Sequence, residues 1–310
     1  MIKLYSLKFL IVYKFLVPKM GMEVIMNKNT LPTNFLGCDS DFDSSSIVIF
    51  GAPYDGTTTF RPGTRFAPSI MRMDSIGIET YSPYFDDDIT DYLINDYGDL
   101  DLPFGSPTRA LEMISETSQH IFNSGKKPLM IGGEHLVSLP VIKQAAKKYP
   151  NLHIIHFDAH TDLREDYLGE QLSHSSVIRR AWDILGDNHI WQYGIRSGTR
   201  EEFYWSKEGH THMCLHNFGS LDTAINSIGS LPVYLTIDLD VLDPSAFPGT
   251  GTPEAGGVNF LELIYALKAV SKLNIIGADI VELSPHYDQS GSSTAVACKI
   301  LRELALAMQK

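Results

Sequence analysis

The sequence predicts a single α/β domain built on a doubly wound, mainly parallel sheet. Short runs of β-branched and aromatic residues alternate with longer segments of helical periodicity, a pattern typical of parallel strands joined by helices. A chain of 310 residues is long enough for one large α/β domain. No linker rich in Gly, Ser or Pro divides it, which favours one domain over two.

Six apolar runs have the length and composition of buried strands, and seven segments between them have helical spacing of apolar residues. The predicted strands are Ile47–Phe50, Pro128–Ile131, Leu152–Phe157, Ile190–Gly194, Val233–Ile237 and Ile275–Val281. The predicted helices are Ala67–Ile76, Thr108–Asn123, Ser138–Lys148, Ser173–Leu185, Leu221–Ile228, Phe260–Ser271 and Ser293–Met308.

The strongest chemical signal follows the predicted strand Leu152–Phe157. Asp158, His160 and Asp162 come directly after it, and residues two apart along an extended segment share a face. Two carboxylates and an imidazole crowded at one point are stabilised when a cation lies between them. Taken alone, however, such a segment is more often an ordinary solvated strand end.

Two further strand ends repeat the pattern. Asp238 and Asp240 follow Val233–Ile237, and His135 follows Pro128–Ile131 after two glycines that allow a sharp turn. In an open parallel sheet, ligands bind at the carboxyl ends of the strands. The three segments together therefore favour a metal site over three unrelated strand ends.

These segments supply four carboxylates and two imidazoles, which is more negative charge than one divalent ion needs. Two ions about 3.5–4 Å apart balance that charge and lower the pKa of bound water from about 15.7 towards 7, which generates a nucleophile. The oxygen-rich set suits Mn or Mg better than Cu, although the histidines keep Zn open. No cysteine lies near these motifs, which excludes a cysteine-rich zinc site.

The motifs resemble those of the ureohydrolases, the family of arginases and agmatinases. Six segments match in order, and two of them resemble the agmatinase form most. The segments are 51–68, 132–135, 158–162, 236–244, 248–257 and 279–288. The sequence departs from the common pattern at Glu134, where aspartate is more usual, and after His174, where Ser175 and Ser176 replace glycine and threonine.

The resemblance implies a three-layer arginase-like fold, two Mn²⁺ per chain, and a homo-oligomer that is a trimer or a hexamer. It implies one manganese held by His135, Asp158, Asp162 and Asp238, and a second held by His160, Asp158, Asp238 and Asp240. It also implies that Glu282 faces the guanidinium group of a small-molecule substrate and that His174 carries a proton.

The chemistry of these residues fits hydrolysis of a guanidino compound. Glu282 can pair with the planar guanidinium, Asp162 can hold the hydroxide nucleophile, and His174 can deliver a proton to the leaving amine. The resemblance makes agmatine the expected substrate, with putrescine and urea as products, a step of polyamine biosynthesis. A structural salt bridge at Glu282 and an ordinary core histidine at His174 are the alternatives.

Other functions stay open. Guanidinobutyrate, arginine and formiminoglutamate present a similar reacting group, and the loop 163–169 offers Arg164 for a carboxylate or Glu165 and Asp166 for a cationic tail. A deacetylase-like site with one zinc is disfavoured by the complete second set of ligands. A catalytically silent homologue that serves as a scaffold would tolerate the loss of ligands that this chain retains.

Composition limits the partners and the compartment. A formal net charge of −12 and a pI near 5.3 argue against nucleic acids and anionic membrane surfaces. The three cysteines, Cys38, Cys214 and Cys298, form no Cys-x-x-Cys motif, which predicts a reducing compartment and hence the cytoplasm.

The first residues differ from the rest of the chain. Lys3, Lys8 and Lys14 interrupt an apolar stretch that is too short to span a bilayer and lacks a clear cleavage site. Residues 1–26 are therefore predicted to be an N-terminal extension or the product of an upstream start. Residues 27–310 are predicted to be the ureohydrolase domain.

Overall fold

The computed structural model describes residues 33–310, which contain ten strands and eight α-helices. The strands are β1 (Ile47–Ala52), β2 (Tyr81–Ser82), β3 (Asp87–Asp88), β4 (Ile94–Asp99), β5 (Lys127–Gly132), β6 (His153–Phe157), β7 (Ile190–Ile195), β8 (His212–Leu215), β9 (Pro232–Asp238) and β10 (Asn274–Val281). The helices are α1 (Ala67–Asp74), α2 (Pro107–Asn123), α3 (Ser138–Lys148), α4 (Val177–Leu185), α5 (Arg200–Trp205), α6 (Leu221–Ile228), α7 (Phe260–Val270) and α8 (Ser292–Ala307).

Eight of the strands form one sheet in the order β4-β1-β5-β10-β9-β6-β7-β8, and each pair in it is parallel. The short strands β2 and β3 form a separate antiparallel pair. Side chains that alternate along β1 enter two apolar cores: Ile47 and Ile49 pack on one face, and Val48 and Phe50 on the other. The predicted doubly wound α/β domain is confirmed.

Helices cover both faces of this sheet and complete three layers. Residues of α1, α6, α7 and α8 pack into one core, and residues of α2, α3 and α4 pack into the other. Because both faces of the central strands are covered, their sequences are mainly apolar rather than alternating between apolar and polar residues. All six predicted strands are present, with ends that differ from the prediction by one or two residues.

The predicted helix Ser173–Leu185 is wrong at its first turn. Residues His174–Ser176 form a 3₁₀ turn, and α4 begins only at Val177. Ser173 and Ser176 exchange side-chain and backbone hydrogen bonds that close this turn ahead of the helix. His174 therefore lies on a loop rather than on a regular helix.

The predicted extension at residues 1–26, and the predicted domain start at residue 27, lie outside the described residues. Within residues 33–310, no helix is both long enough and apolar enough to cross a membrane. Cys38, Cys214 and Cys298 are all free thiols.

A histidine group at the amino end of β6 makes folding sensitive to acid. Burial, followed by the charges of His189 and His212, lowers the pKa of His153 from 6.5 to about 4. The unfolded chain therefore binds a proton at His153 at a higher pH than the folded chain does. The stability that the neutral ring contributes is present above pH 6.5 and is lost as the pH falls towards about 4.

The His153→Gln variant is accordingly expected to lose less stability on acidification than the wild type. Chelator-treated protein would be melted at several pH values between 6.5 and about 4. Between the two ends of this range, the wild-type melting temperature should fall by about 2–4 °C more than that of His153→Gln. His120→Gln, which changes an exposed histidine on α2, is the control and should follow the wild type. Equal slopes for all three proteins would contradict the role assigned to His153.

Candidate metal centre and pocket

Four adjacent central strands, β5, β10, β9 and β6, end at the same edge of the sheet. The register aligns these ends, since Phe157 pairs with Ile237 and Val281 pairs with Asp238. The side chains that follow the strands are thereby brought together from distant parts of the sequence. They are His135 after β5, Asp158, His160 and Asp162 after β6, Asp238 and Asp240 at the end of β9, and Glu282 after β10.

The first group of side chains surrounds the buried imidazole of His135. Its Nδ1 atom lies 3.1 Å from Oδ2 of Asp158, 3.1 Å from Oδ2 of Asp162 and 3.4 Å from Oδ2 of Asp238. Within residues 33–310, this Nδ1 atom is nevertheless without a hydrogen-bond partner. A buried lone pair that faces three carboxylate oxygens is the donor arrangement that a divalent cation requires.

The second group lies around His160, on the other side of Asp158. The Nδ1 atom of His160 lies 3.0 Å from Oδ2 of Asp240 and 3.4 Å from Oδ1 of Asp158. Asp158 belongs to both of the buried groups that could hold an ion, and its two oxygens face opposite groups. The cluster is therefore suited to two metal ions that share the carboxylate of Asp158.

A hydrogen-bonded chain behind His135 fixes which ring nitrogen is free. The Thr236 hydroxyl donates to Oδ1 of Asp279 at 2.6 Å, so its oxygen is left to accept from Nε2–H of His135 at 2.9 Å. Nε2 then carries the proton, and Nδ1 keeps the lone pair that faces the carboxylates. The residues present thus fit a metal ligand at Nδ1.

Thr236→Val is expected to weaken metal binding about 10- to 100-fold, because it removes the hydroxyl oxygen that accepts from Nε2–H of His135 and the ring loses its fixed orientation. Metal affinity would be measured by competition with a chelator of known strength. Tyr234→Phe is the matched control, since the Tyr234 hydroxyl donates at 2.6 Å to the other oxygen of Asp279. Equal affinities for the two variants would contradict the assignment.

His156 is buried beside the cluster, but its hydrogen bonds give it a supporting position. The side-chain nitrogen of Gln192 donates to Nδ1 of His156 at 3.1 Å, so the proton of the neutral ring lies on Nε2. That Nε2–H donates to Oδ2 of Asp158 at 2.7 Å. His156 therefore orients Asp158 and has no free lone pair to offer an ion.

The buried carboxylates of the cluster repel one another, and positive charge among them would stabilise their ionised forms. Burial, followed by the charges of Asp240 and Asp158, raises the pKa of Asp238 well above its usual range. Burial, followed by the charge of Asp158, raises the pKa of Asp162 to about 7. Cations among these carboxylates would offset both burial and mutual repulsion.

Backbone geometry at the site is unusual in two places. Asp162 and Glu282 adopt positive φ angles of 51° and 66°, a left-handed conformation that is uncommon for residues other than glycine. Gly133 passes so close to the chain after β1 that a Cβ atom would lie 1.9 Å from the carbonyl oxygen of Tyr54. Such features are maintained where the surrounding structure requires them, often at functional sites.

A cavity of about 250 Å³ opens onto the cluster and is lined by metal-site and substrate-site candidates alike. His174 and Glu282 line it, together with Arg164 and Glu202. Oε1 of Glu282 accepts the backbone N–H of His135 at 2.8 Å, which fixes the carboxylate beside the cluster. Burial, followed by the charge of Glu134, raises the pKa of Glu282 well above its usual range, so that a cationic ligand would be favoured there.

The two acidic residues considered for a cationic tail are placed elsewhere. Glu165 and Asp166 are exposed and are not among the residues that line the cavity. Oδ1 of Asp166 accepts the backbone N–H of Gly169 at 2.9 Å, which is a turn contact. These two carboxylates are therefore solvated loop residues rather than groups of the cavity.

Several pocket and support residues were not singled out in the sequence. Glu202 is a buried carboxylate whose Oε1 accepts from the Thr161 hydroxyl at 2.7 Å and from the Leu163 backbone at 2.9 Å. Its local signal was a capping box, with Thr199 before α5 and Glu202 in its first turn. Thr236 and Asp279 left no local signal, because their contact spans 43 residues.

Comparison with known proteins agrees with this geometry. The model of the arginase family matches residues 45–307. An agmatinase of Bacillus subtilis is 47% identical over 279 residues, which cover 89% of this chain and 96% of the relative. A protein from Clostridium difficile described as an agmatinase superposes with a TM-score of 0.85 and 52% identity over 86% of this chain and 98% of its own. A guanidinobutyrase of Pseudomonas aeruginosa is 33% identical over 86% of this chain and 87% of its own.

Proposed function

The chain belongs to the arginase family, and we propose that it hydrolyses agmatine to putrescine and urea at a binuclear metal centre. The observation that carries the proposal is the buried His/Asp cluster at the ends of four adjacent strands, with the carboxylate of Glu282 beside it. The high identity to agmatinases over most of the chain supports the choice of substrate.

We assign the metal ligands as the resemblance implies, with Mn²⁺ as the ion. The first site comprises His135, Asp158, Asp162 and Asp238, and the second comprises His160, Asp158, Asp238 and Asp240. Asp158 and Asp238 bridge the two sites. When bound, the two ions would supply the nucleophile by making water acidic. The oxygen-rich ligand set supports manganese over softer metals.

Around this centre, the chain's own residues orient the substrate and move the proton. Glu282 pairs with the guanidinium and holds its carbon over the cluster, while Asp162 accepts a hydrogen bond from the nucleophile. Burial lowers the pKa of His174 to about 4, so the ring is neutral near pH 7. His174 therefore first receives a proton and then gives it to the leaving amine.

The test is product release by the Mn²⁺-loaded protein from four compounds. Agmatine should be hydrolysed with a kcat/KM at least about tenfold above those for guanidinobutyrate, arginine and formiminoglutamate. Urea would be measured as the product from agmatine, guanidinobutyrate and arginine, and formamide as the product from formiminoglutamate. Metal analysis should find two ions per chain. If none of the four compounds is hydrolysed, the result contradicts the proposal and favours a scaffold. One ion per chain together with amide hydrolysis would favour a deacetylase.

Guanidinobutyrate is the second candidate, because Arg164 lines the cavity and could bind a carboxylate. A guanidinobutyrase is among the relatives, at 33% identity. Against it, Arg164 stacks on the Tyr167 ring at 5.0 Å, and the buried carboxylate of Glu202 lines the same cavity. Faster release of urea from guanidinobutyrate than from agmatine would decide for this candidate.

We also propose that the protein is a cytoplasmic homo-oligomer, either a trimer or a hexamer, as the family resemblance implies. Three free thiols support a reducing compartment. Light scattering coupled to size exclusion would measure the mass of the assembly against 34.5 kDa per chain. A monomer at micromolar concentration would contradict the proposed assembly.

A further inference from the structure

The side chain of Glu134 lies next to a metal-ligand candidate in sequence but makes its own contacts with the loop after β1. It is wholly buried, and within residues 33–310 none of the ion pairs includes it. Its Oε1 accepts from the Thr57 hydroxyl at 2.7 Å, and its Oε2 accepts from the Thr57 backbone at 2.8 Å. The Thr58 hydroxyl donates to Oε2 at 3.3 Å. One carboxylate thus fixes both the backbone and the side chain of Thr57.

The direction of these hydrogen bonds determines what Thr57 offers to its other neighbour. Burial raises the pKa of Glu134 to about 7, and the hydrogen bonds from Thr57 and Thr58 oppose this rise by favouring the carboxylate. In that form Glu134 only accepts, so the single hydroxyl proton of Thr57 is directed at it. The hydroxyl oxygen is then left to accept on its opposite side, where His174 lies. It accepts the backbone N–H of His174 at 3.0 Å, and Nδ1 of the same ring lies 3.5 Å away.

Nδ1 of His174 therefore faces an acceptor oxygen at the outer limit of hydrogen-bond distance. An acceptor opposite Nδ1 favours the neutral tautomer with the proton on Nδ1 and the lone pair on Nε2. The ring lines the cavity, at the start of the 3₁₀ turn His174–Ser176 that ends an exposed loop. The contacts with Thr57 tie this turn to the loop after β1, which Glu134 holds in place from the end of β5.

We propose that Glu134 and Thr57 are positioning residues that anchor His174 and keep its Nε2 free to take and return the proton of the reaction. This inference rests on the proposed function, because it gives His174 the proton-transfer step. Neither Glu134 nor Thr57 is assigned any contact with substrate. The hydrogen bonds that carry their effect join residues far apart in sequence. Glu134 and Thr57 are separated by 77 residues, and Thr57 and His174 by 117.

The first readout is spectroscopic and does not depend on activity. In ¹⁵N-histidine-labelled protein, the resonances that disappear in His174→Asn belong to His174, and in the wild type they should report the Nδ1–H tautomer. Thr57→Val, which keeps the branched shape and removes the hydroxyl, should shift the population towards Nε2–H. An unchanged tautomer in Thr57→Val would overturn the proposal, whether or not agmatine is the substrate.

The second readout is kinetic. Thr57→Val should lower kcat about tenfold with KM within about twofold, because proton transfer is impaired while binding is kept. Thr57→Ser restores the hydroxyl and should recover kcat to within about twofold of the wild type. Thr58→Val is the matched control, since Thr58 also donates to Glu134 but is not among the hydrogen-bond partners of His174 within residues 33–310. It should stay within about twofold of the wild type.

A double-mutant cycle separates action through His174 from a general structural effect. In the His174→Asn background, adding Thr57→Val should lower kcat by less than about twofold relative to His174→Asn alone. Adding Glu134→Gln to the same background should also lower kcat by less than about twofold. Multiplicative losses would overturn the proposal. If Thr57→Val fails to fold or to bind metal, Glu134→Gln carries the same cycle. An inactive wild type with the expected tautomer would instead refute the proposed function and leave the structural inference standing.

Discussion

Asp158→Asn is expected to lower kcat/KM for agmatine by at least about 10³-fold and to reduce the bound metal to one ion per chain or fewer. Both groups of ligand atoms that could hold an ion within residues 33–310 include Asp158, which the proposed ligand set shares between the two sites together with Asp238. The two oxygens of Asp158 lie 3.1 Å from Nδ1 of His135 and 3.4 Å from Nδ1 of His160. The amide that would replace the carboxylate has one acceptor oxygen, and its N–H groups would face the second ion. It could not bridge two cations, and the nucleophile that the cations would generate is lost with them.

Metal analysis and steady-state kinetics would measure this loss, and thermal melting would separate it from unfolding. Bound metal stabilises only the folded state, so the difference in melting temperature between metal-loaded and chelator-treated protein should shrink in Asp158→Asn. Asp243→Asn is the control, because Asp243 accepts from the backbones of Ser245 and Gly256 in a turn after β9. It should retain two ions and activity within about threefold of the wild type. Two tightly held ions in Asp158→Asn would contradict the bridging role.

The sequence was sufficient for most of the fold because the central strands are buried on both faces. Such strands are mainly apolar, and each of β1, β5, β6, β9 and β10 contains a run of buried, mostly apolar residues. Four strands were missed: β2 and β3, which form a separate two-residue pair, and β4 and β8, which lie at the two edges of the main sheet, where only partial burial is required. In β4 only Ile94 is buried, so the segment has no apolar run to detect.

The gathering of the candidate ligands was also predictable, because they lie within a few residues of strand ends. Asp158, His160 and Asp162 share a five-residue segment, and parallel topology places such segments at one edge. The residues that orient the ligands were not predictable in this way. Thr236 and Asp279 support His135 from different strands, and the link from Glu134 to Thr57 joins loops 77 residues apart. Their identity depends on tertiary contacts that carry no local pattern.

Glu282→Gln is expected to lower kcat/KM for agmatine by about 10²- to 10³-fold while leaving the metal content unchanged. The Glu282 side chain is 5% exposed and lines the cavity, where burial raises the pKa of its carboxyl well above its usual range. A guanidinium beside it would restore the charged form and gain charge-assisted hydrogen bonds. Glutamine keeps the size and can still accept from the His135 backbone, but it leaves the guanidinium charge without a partner.

The size of the Glu282→Gln effect distinguishes substrate pairing from a structural salt bridge. A residue that only supports the fold would change melting temperature and metal content together with activity. A residue that pairs with substrate should change kcat/KM alone, and the loss should be seen with every guanidino compound, because all present the same group. Glu165→Gln, at an exposed position outside the cavity lining, is the control and should stay within about twofold of the wild type. A Glu282→Gln variant with kcat/KM within about threefold of the wild type would remove Glu282 from the substrate site and return it to the end of β10 as an ordinary strand-end carboxylate.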